Sequence, residues 1–510
     1  MSAAAPPAEI IAKQTRSHSL SADTAVIDVE ISLSKKQKHA GQHNLETGAS
    51  HVERLPDDLL RVMGGYLSGR DLVYCAVSSR RMFAALQSTR VTRPIRVSQA
   101  LGGSWMVGSF EAVRVSSVAE LAHIRRTADA RTRALAKCTR VIIECNGAGL
   151  PIAEGVTHLT FGDAFNQPVG DLQLPVSLTH MQFGRNFNQP VGDLKLPPAL
   201  VHLEFDVYFD RPVDGLKLPP SLKYLEFGYR FDQPVRDLRL PASLTHLEFG
   251  TCFNRSVSDL KMPESLTHLK FGHEFNQSVG NLKLPASLTH LQFGSSFNQP
   301  VGQLILPASL THLGFCGCFN QPVDDLKLPA SLTHLQLTDG FNQSVSNLKL
   351  PAALTHLQFG RNFNQPVGDL KLPASLTHLE FGWEFNQPVD DLKLPASLMH
   401  LQFGKEFNQS LCQLILPASL THLVFGFRFN QPVGDFKLPA SLTHLQFSYD
   451  FDQPVAGLTL PASLTHLEFG YCFDRRRLAD LKLPPSLMLL RIGLQAITGQ
   501  HLANLRSGSQ

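Results

Sequence analysis

The phrase FNQPVGDLKLPASLTHLEFG, residues 363–382, returns with few changes along most of this chain. The residue that opens its LTHL core stands at Val156, Leu178, Leu200 and so on to Leu464, always 22 positions apart, and a sixteenth copy at Leu487 is displaced by one residue. A period of this length decides the architecture before any motif does, because a unit so short cannot close a core alone. Neighbouring units must stack and share one continuous apolar interior. In Leu376–Phe381 the order L-x-x-L-x-F ends in period-two alternation, so Leu379 and Phe381 belong to one side of a strand and His378 and Glu380 to the other. A second short strand is expected at Asp369–Leu372, closed by Pro373, which has no N–H to give to a ladder.

At about 4.7–4.9 Å per stacked strand, the coils predict a rod of roughly 75 Å. The expected fold is mostly β, a parallel β-solenoid of leucine-rich-repeat type over residues 151–493, with a C-terminal cap or tail at 494–510. The one-residue slip falls at Arg475, Arg476 and Arg477, where the FNQP phrase has decayed. The repeated phrase resembles the FNIP repeats, a branch of the leucine-rich-repeat proteins with L-P-x-S-L-T-H-L before F-N-x-P. Here the third letter is usually Gln, as in Gln365, and Ser256, Ser278, Ser344 and Ser410 replace the proline as turn variants.

Composition narrows the function classes. A net charge of +3 over 510 residues gives no electrostatic case for nucleic-acid or membrane binding. The apolar runs fall short of a bilayer span, and MSAAAPPAEIIAKQ lacks a charged segment followed by an apolar one, so a soluble, cytoplasmic protein is expected. The eight cysteines are scattered: Cys252, Cys318 and Cys472 share one repeat column but lie three or more coils apart, which fits a reducing compartment. Cys316 and Cys318 form a lone C-x-C with no second pair at zinc spacing, and read as substitutions in a variable turn.

Ahead of the repeats, residues 1–50 show no sustained apolar period and are expected to be a disordered tail; their patch Lys35-Lys36-Gln37-Lys38 is a solvated run or a nuclear address. Residues 51–90 change character. Pro56 stands at a helix start, and Leu59, Val62, Met63, Tyr66 and Leu67 form one apolar stripe. After Ser68–Asp71 a second stripe follows at Leu72, Cys75, Ala76, Met82, Phe83 and Leu86. Leu55-Pro56, Leu59-Leu60, Leu67, Asp71-Leu72, Cys75, Val77 and Arg80–Met82 resemble an F-box, the helical module that docks cullin-based ubiquitin ligases. That resemblance implies that Leu55, Pro56, Leu59, Leu60 and Leu72 contact a Skp-type linker. The sequence departs from the F-box in its double glycine, Gly64-Gly65, and in the placing of Phe83; the other reading is a helical hairpin that caps the solenoid. Residues 91–150 are expected to be a linker and N-terminal cap, with a helix between Val118 and Lys137 and a first strand at Val141–Ile143.

No catalytic motif is visible. The chain has no phosphate-binding glycine loop before Lys-Ser/Thr, no H-E-x-x-H and no G-x-S-x-G, and nothing calls for a cofactor or metal. A histidine column occupies fourteen of sixteen units, broken by Tyr224 and Leu489, and is either a metal array or a solvent-facing ladder. No compact ligand set surrounds any one position, which favours the ladder; simultaneous protonation should then repel, so stability should fall as pH drops through the histidine range. The Asn column, replaced by Asp at Asp210, Asp232, Asp452 and Asp474, suits a side chain that bonds the backbone of its own turn.

Variation concentrates at the Glu380 column and at the two residues before each FN, among them Tyr229-Arg230, Trp383-Glu384, Phe427-Arg428 and Tyr471-Cys472. Exposed aromatics and arginines anchor protein interfaces, so a target-binding edge is expected around Trp383, Lys405, Phe427 and Arg428, against the alternative of drift at permissive turns. Together these features predict a non-catalytic substrate-recognition subunit of a cullin-type ubiquitin ligase, its repeats holding an unnamed target protein. The competing class is a repeat scaffold unrelated to ubiquitin.

Overall fold

The structure is a computed structural model that describes residues 95–96, 112–115, 140–143, 152, 155–337 and 339–507. The F-box-like segment with Leu55, Pro56, Leu59, Leu60 and Leu72, the N-terminal tail and the helix expected after Val118 lie outside these residues.

Each coil gives one strand of three or four residues that starts at the histidine column, from β4 (His158–Phe161) to β19 (Leu489–Ile492). Three more strands precede them, β1 (Ile95–Arg96), β2 (Ala112–Val115) and β3 (Arg140–Ile143), all parallel and all continuing the same sheet. The sheet therefore begins before the repeat does, inside the segment expected to be linker and cap. Register is kept residue for residue: His290 pairs with His312 and Leu291 with Leu313. Where the period slips, His466 pairs with Leu489, and a short 3-10 helix at Arg475–Asp480 takes up the extra residue. Asp474 caps that helix by accepting the Arg476 N–H at 3.0 Å. β20 (Gln495–Ile497) then turns back antiparallel on β19, and α1 (Gly499–Ser507) buries Leu502 against the end of the core.

The alternation read at Leu379 and Phe381 holds: both are buried, with Leu370, Leu376, Phe385 and Val389 completing the coil's share of the core. Each such side chain contributes about 1.5–3 kcal/mol on burial. Phe381 and Phe385 face one another at 4.1 Å within the coil, and this pair recurs through most of the stack.

The second strand expected at Asp369–Leu372 does not form; Asp369 lies in a turn and Leu370–Leu372 pair with no ladder. Burial still alternates there, with Leu370 inside and Lys371 outside. The reason is the spacing of the coils. Histidine rings on the strand side lie mostly 4.1 Å apart, whereas the FN phenylalanines, as in Phe385 and Phe407, lie 6.0 Å apart. A backbone ladder needs strands about 4.8 Å apart, so coils that fan out away from the sheet cannot build one on the far side. The stack bends toward the histidine face.

Side chains bridge the wider gap. The Asn364 Oδ1 accepts the Asn386 N–H at 2.9 Å and the Gln387 Nε2 at 3.0 Å, one coil on. Only an oxygen is used, which is why Asp serves equally: Asp210 Oδ1 accepts from Asp232 N and Gln233 Nε2 in the same way. Ser375 Oγ donates to the Leu354 carbonyl at 2.6 Å, and the Leu376 N–H closes the proline turn on Pro373 O at 3.1 Å. The glycine that follows most strands, replaced at Asp206, Cys316, Thr338 and Ser448, packs closely on the coil before it. A Cβ added at Gly382 would overlap the carbonyl oxygen of Gly360 in the preceding coil.

Candidate functional site

Two exposed columns flank the glycine column, the histidine face on one side and a variable loop edge on the other. On the face, twelve of the fourteen histidines place Nδ1 2.8–2.9 Å from the Oγ1 of the threonine before them. Eleven of these hydroxyls lie 3.0–3.1 Å from a backbone carbonyl of the preceding coil, as Thr311 Oγ1 does from Thr289 O. A hydroxyl has one hydrogen and a carbonyl can only accept, so the hydroxyl donates to the carbonyl and must accept from the imidazole. The network therefore assigns the Nδ1–H tautomer and leaves Nε2 as the acceptor nitrogen.

Two of the histidine coils lack the threonine, and they show what it does. Val201 precedes His202 and Met399 precedes His400. From His246 to His378 the rings stack at 4.1–4.2 Å, but His400 stands 5.6 Å from His378 and 5.7 Å from His422, tilted by 36° to the latter. His202 behaves alike, 5.7 Å from His180 and tilted by 35° to Tyr224. Both turn to carboxylates instead, His202 to Glu204 at 3.7 Å and His400 to Glu380 at 4.0 Å. The threonine hydroxyl holds each ring in the stack.

Half-burial and the stacked neighbours hold His312 and His356 down at about 4, and burial lowers His246, His268, His290 and His334 as well. Stacked parallel rings carry parallel lone pairs, which do not converge on an ion. Among the described residues no group of three or more His, Cys, Asp or Glu is placed to hold a metal. A shallow trough of about 510 Å3 runs over His246–His378, opened at its centre by Gly314.

The loop edge differs from coil to coil. Toward the N-terminus three carboxylates stand in consecutive strands, Glu204, Glu226 and Glu248. Burial, then Glu248 and Glu204, push the Glu226 carboxyl up, while Lys270 is ion-paired to Glu248. Toward the C-terminus the edge becomes aromatic, with charges of both signs, Arg361, Lys405 and Arg428 standing among Glu384, Glu406 and Asp450. Trp383 lies between the Arg361 guanidinium at 4.7 Å and the Lys405 ammonium at 3.6 Å. Phe427 stacks on Tyr449 at 4.5 Å, and Tyr449 meets Tyr471 at 4.9 Å. These rings stay 38–50% exposed.

Of the residues expected to form a target-binding edge, Trp383, Lys405 and Phe427 fall in this one column. Arg428 stands one residue along and is ion-paired to Glu406 at 2.8 Å. Sequence reasoning passed over Tyr449, although its signal was the same: an aromatic exactly one period after Phe427 and before Tyr471. Cys316 and Cys318 are free thiols in an irregular turn, where Cys316 takes the glycine position and Gly317 adopts φ +58°.

Ten overlapping matches to the FNIP Repeat model cover residues 150–252 and 275–472. Among solved structures, CroV588, described as a novel circular leucine-rich-repeat protein, aligns over 70% of this chain with 42% identity and a TM-score of 0.64. The chain spans 56% of the length of that protein. An internalin, InlF, from Listeria monocytogenes aligns at 15% identity over 66% of this chain and 87% of its own, with a TM-score of 0.37, too low to carry weight. No curated protein matches the chain. No described helix is long and apolar enough to cross a membrane. The repeat is thus a leucine-rich-repeat-like solenoid of a kind that typically serves as an interaction scaffold, and the chain belongs to the FNIP repeat family.

Proposed function

We propose that the solenoid binds a target protein along its loop edge and that residues 51–90 deliver that target to a cullin-type ubiquitin ligase through a Skp-type linker. The observation that carries the target-binding half is the run of exposed, mutually stacked aromatic and cationic side chains about Trp383, Lys405 and Phe427, with Arg428 beside it. Aromatic and arginine side chains are the types that dominate interface energetics. Support for the ligase half is the F-box-like pattern at Leu55, Pro56, Leu59, Leu60 and Leu72. On this reading the protein positions a substrate and other subunits transfer ubiquitin.

The test is co-expression of the full chain with a Skp-type linker, followed by affinity capture, beside a Leu55→Ala/Pro56→Ala variant. Capture by the native chain and its loss in the variant support the ligase role. A folded native chain that captures no linker removes that role and leaves a repeat scaffold for another assembly.

A further inference from the structure

The C-terminal end of the stack is unlike its coils. Residues 483–505 carry one formal charge, Arg491, which Glu468 already holds at 3.3 Å, whereas the coil at 361–382 carries four, Arg361, Asp369, Lys371 and Glu380. Met488, Leu494 and Leu505 stand in this stretch 67%, 87% and 41% exposed, and Leu494 is the most exposed large apolar side chain among the described residues. It follows Gly493 as Tyr471 follows Gly470, so it carries the column of Phe427, Tyr449 and Tyr471 onto the end of the stack. A terminal coil normally turns a polar face outward, because nothing stacks on it. This end also presents a strand edge. β20 pairs with β19 on one side, and among the described residues no backbone hydrogen bond joins its other side to another strand. The strand is held in place: Ile497 packs against the core, and Arg475 donates to the Gln495 side-chain oxygen. Exposed edges are usually defended by a charge, a proline or a bulge, and Gln495-Ala496-Ile497 has none of them.

The occupant follows from the edge and from its lack of charge. A patch without free charge selects no charged partner, but it can meet its own copy without repulsion. A strand edge paired antiparallel is self-complementary about a two-fold axis, and such a contact closes at two chains. We propose that two copies of this chain associate through their C-terminal ends, β20 pairing antiparallel with β20 of the second copy so that Ala496 meets its equivalent on the two-fold axis. The sheet then runs from one solenoid into the other, and Leu494, next to the strand, is withdrawn from water. The two Arg491 side chains stand three strand spacings apart, about 14 Å, each with its own Glu468. Head-to-tail stacking joins unlike ends and stays open, so the isologous contact is the one that leaves no edge bare. The pairing is independent of the target-binding reading, and it gives the assembly two loop edges.

Sedimentation velocity of the full chain, from about 1 to about 100 µM, reads the association over the range in which a small contact dissociates. The native chain should pass from monomer to dimer as concentration rises. Ala496→Glu and Ala496→Lys each set like charges opposite one another on the axis and should each raise the dissociation constant about tenfold or more. An equimolar mixture of the two variants should recover the dimer, since opposite charges then face each other. Ala496 is exposed, so both variants should keep the native circular dichroism, and Tyr229→Glu, in an early coil, should dimerise as the native chain does. A native chain that stays monomeric throughout the range overturns the proposal. A dimer indifferent to both Ala496 charges overturns it as well, because the contact then lies elsewhere in the chain. Loss in both variants without recovery in the mixture overturns the two-fold pairing, and an open series of larger species replaces it with head-to-tail stacking.

Discussion

The histidine face and the loop edge are built by the same coils, yet one is nearly invariant and the other changes at every step. On the face each residue is tied to the next coil: a threonine hydroxyl joins its own imidazole to the preceding backbone, and the imidazole packs on its neighbour. One substitution disturbs two contacts at once, as the displaced rings of His202 and His400 show. The edge side chains extend beyond the glycine column into solvent, where a coil can change its residue without moving the backbone. Uniformity here follows from contacts that also fix the backbone, and variety from edge contacts made between side chains alone.

The strongest break in that contrast lies between the two columns. Gly382→Ala places a methyl group against the Gly360 carbonyl and should cost about 3 kcal/mol or more, read as a shifted midpoint in urea. A variant of unchanged stability would show that the coils can spread. Replacing Thr289, Thr311 and Thr333 together by Val removes three hydroxyls, each bonded to a carbonyl and to its own imidazole, and should cost about 3 kcal/mol, at about 1 kcal/mol per hydroxyl. Its rings should also leave the stack as His400 does.

Acid should separate the same two regions. The histidine pKa values lie below their unfolded value, so the unfolded chain binds more protons. Stability is therefore complete above the ordinary histidine value of about 6.5 and is lost as pH falls from there toward about 4. Imidazole NMR titration should find His312 and His356 among the last to protonate, and Thr311→Val should bring His312 nearer its ordinary value. A melting temperature flat across that range would contradict the coupled ladder.

Smaller effects sharpen the comparison. Met399→Thr supplies the missing hydroxyl and should return His400 to the stack, with a gain of up to about 1 kcal/mol. Tyr449→Ala on the edge should lower stability by less than about 1.5 kcal/mol, the range of one aromatic pair, and leave the coils in register. A loss as large as that of the threonine variant would place the edge among the elements that hold the fold.

Much of the molecule was legible because a repeated sequence states its rules many times. The period gave the stack, and the alternation at His378–Phe381 gave the strand and its buried side; the Asn column, expected to bond the backbone of its own turn, instead accepts from the next coil, as Asn364 Oδ1 does from the Asn386 N–H. β1 and β2 escaped notice because they lie outside the repeat and are only two and four residues long. The loop edge was half legible: a column of aromatics is visible at constant spacing, but the stacking of Tyr449 on Phe427 and the engagement of Arg428 by Glu406 are not.

What the sequence determined by itself was therefore whatever repeats within one coil: which residues face in, where each turn closes, and that coils must stack. Tertiary structure decided what depends on the distance between coils. The fan of the stack leaves room for a ladder on one side only, so Asp369–Leu372 alternates without pairing. The imidazole tautomer is fixed by a carbonyl of the preceding coil, as Thr289 O fixes that of His312 through Thr311. Local pattern sets side-chain direction, because direction follows from backbone geometry; contact across coils follows from spacing, which only the assembled core sets.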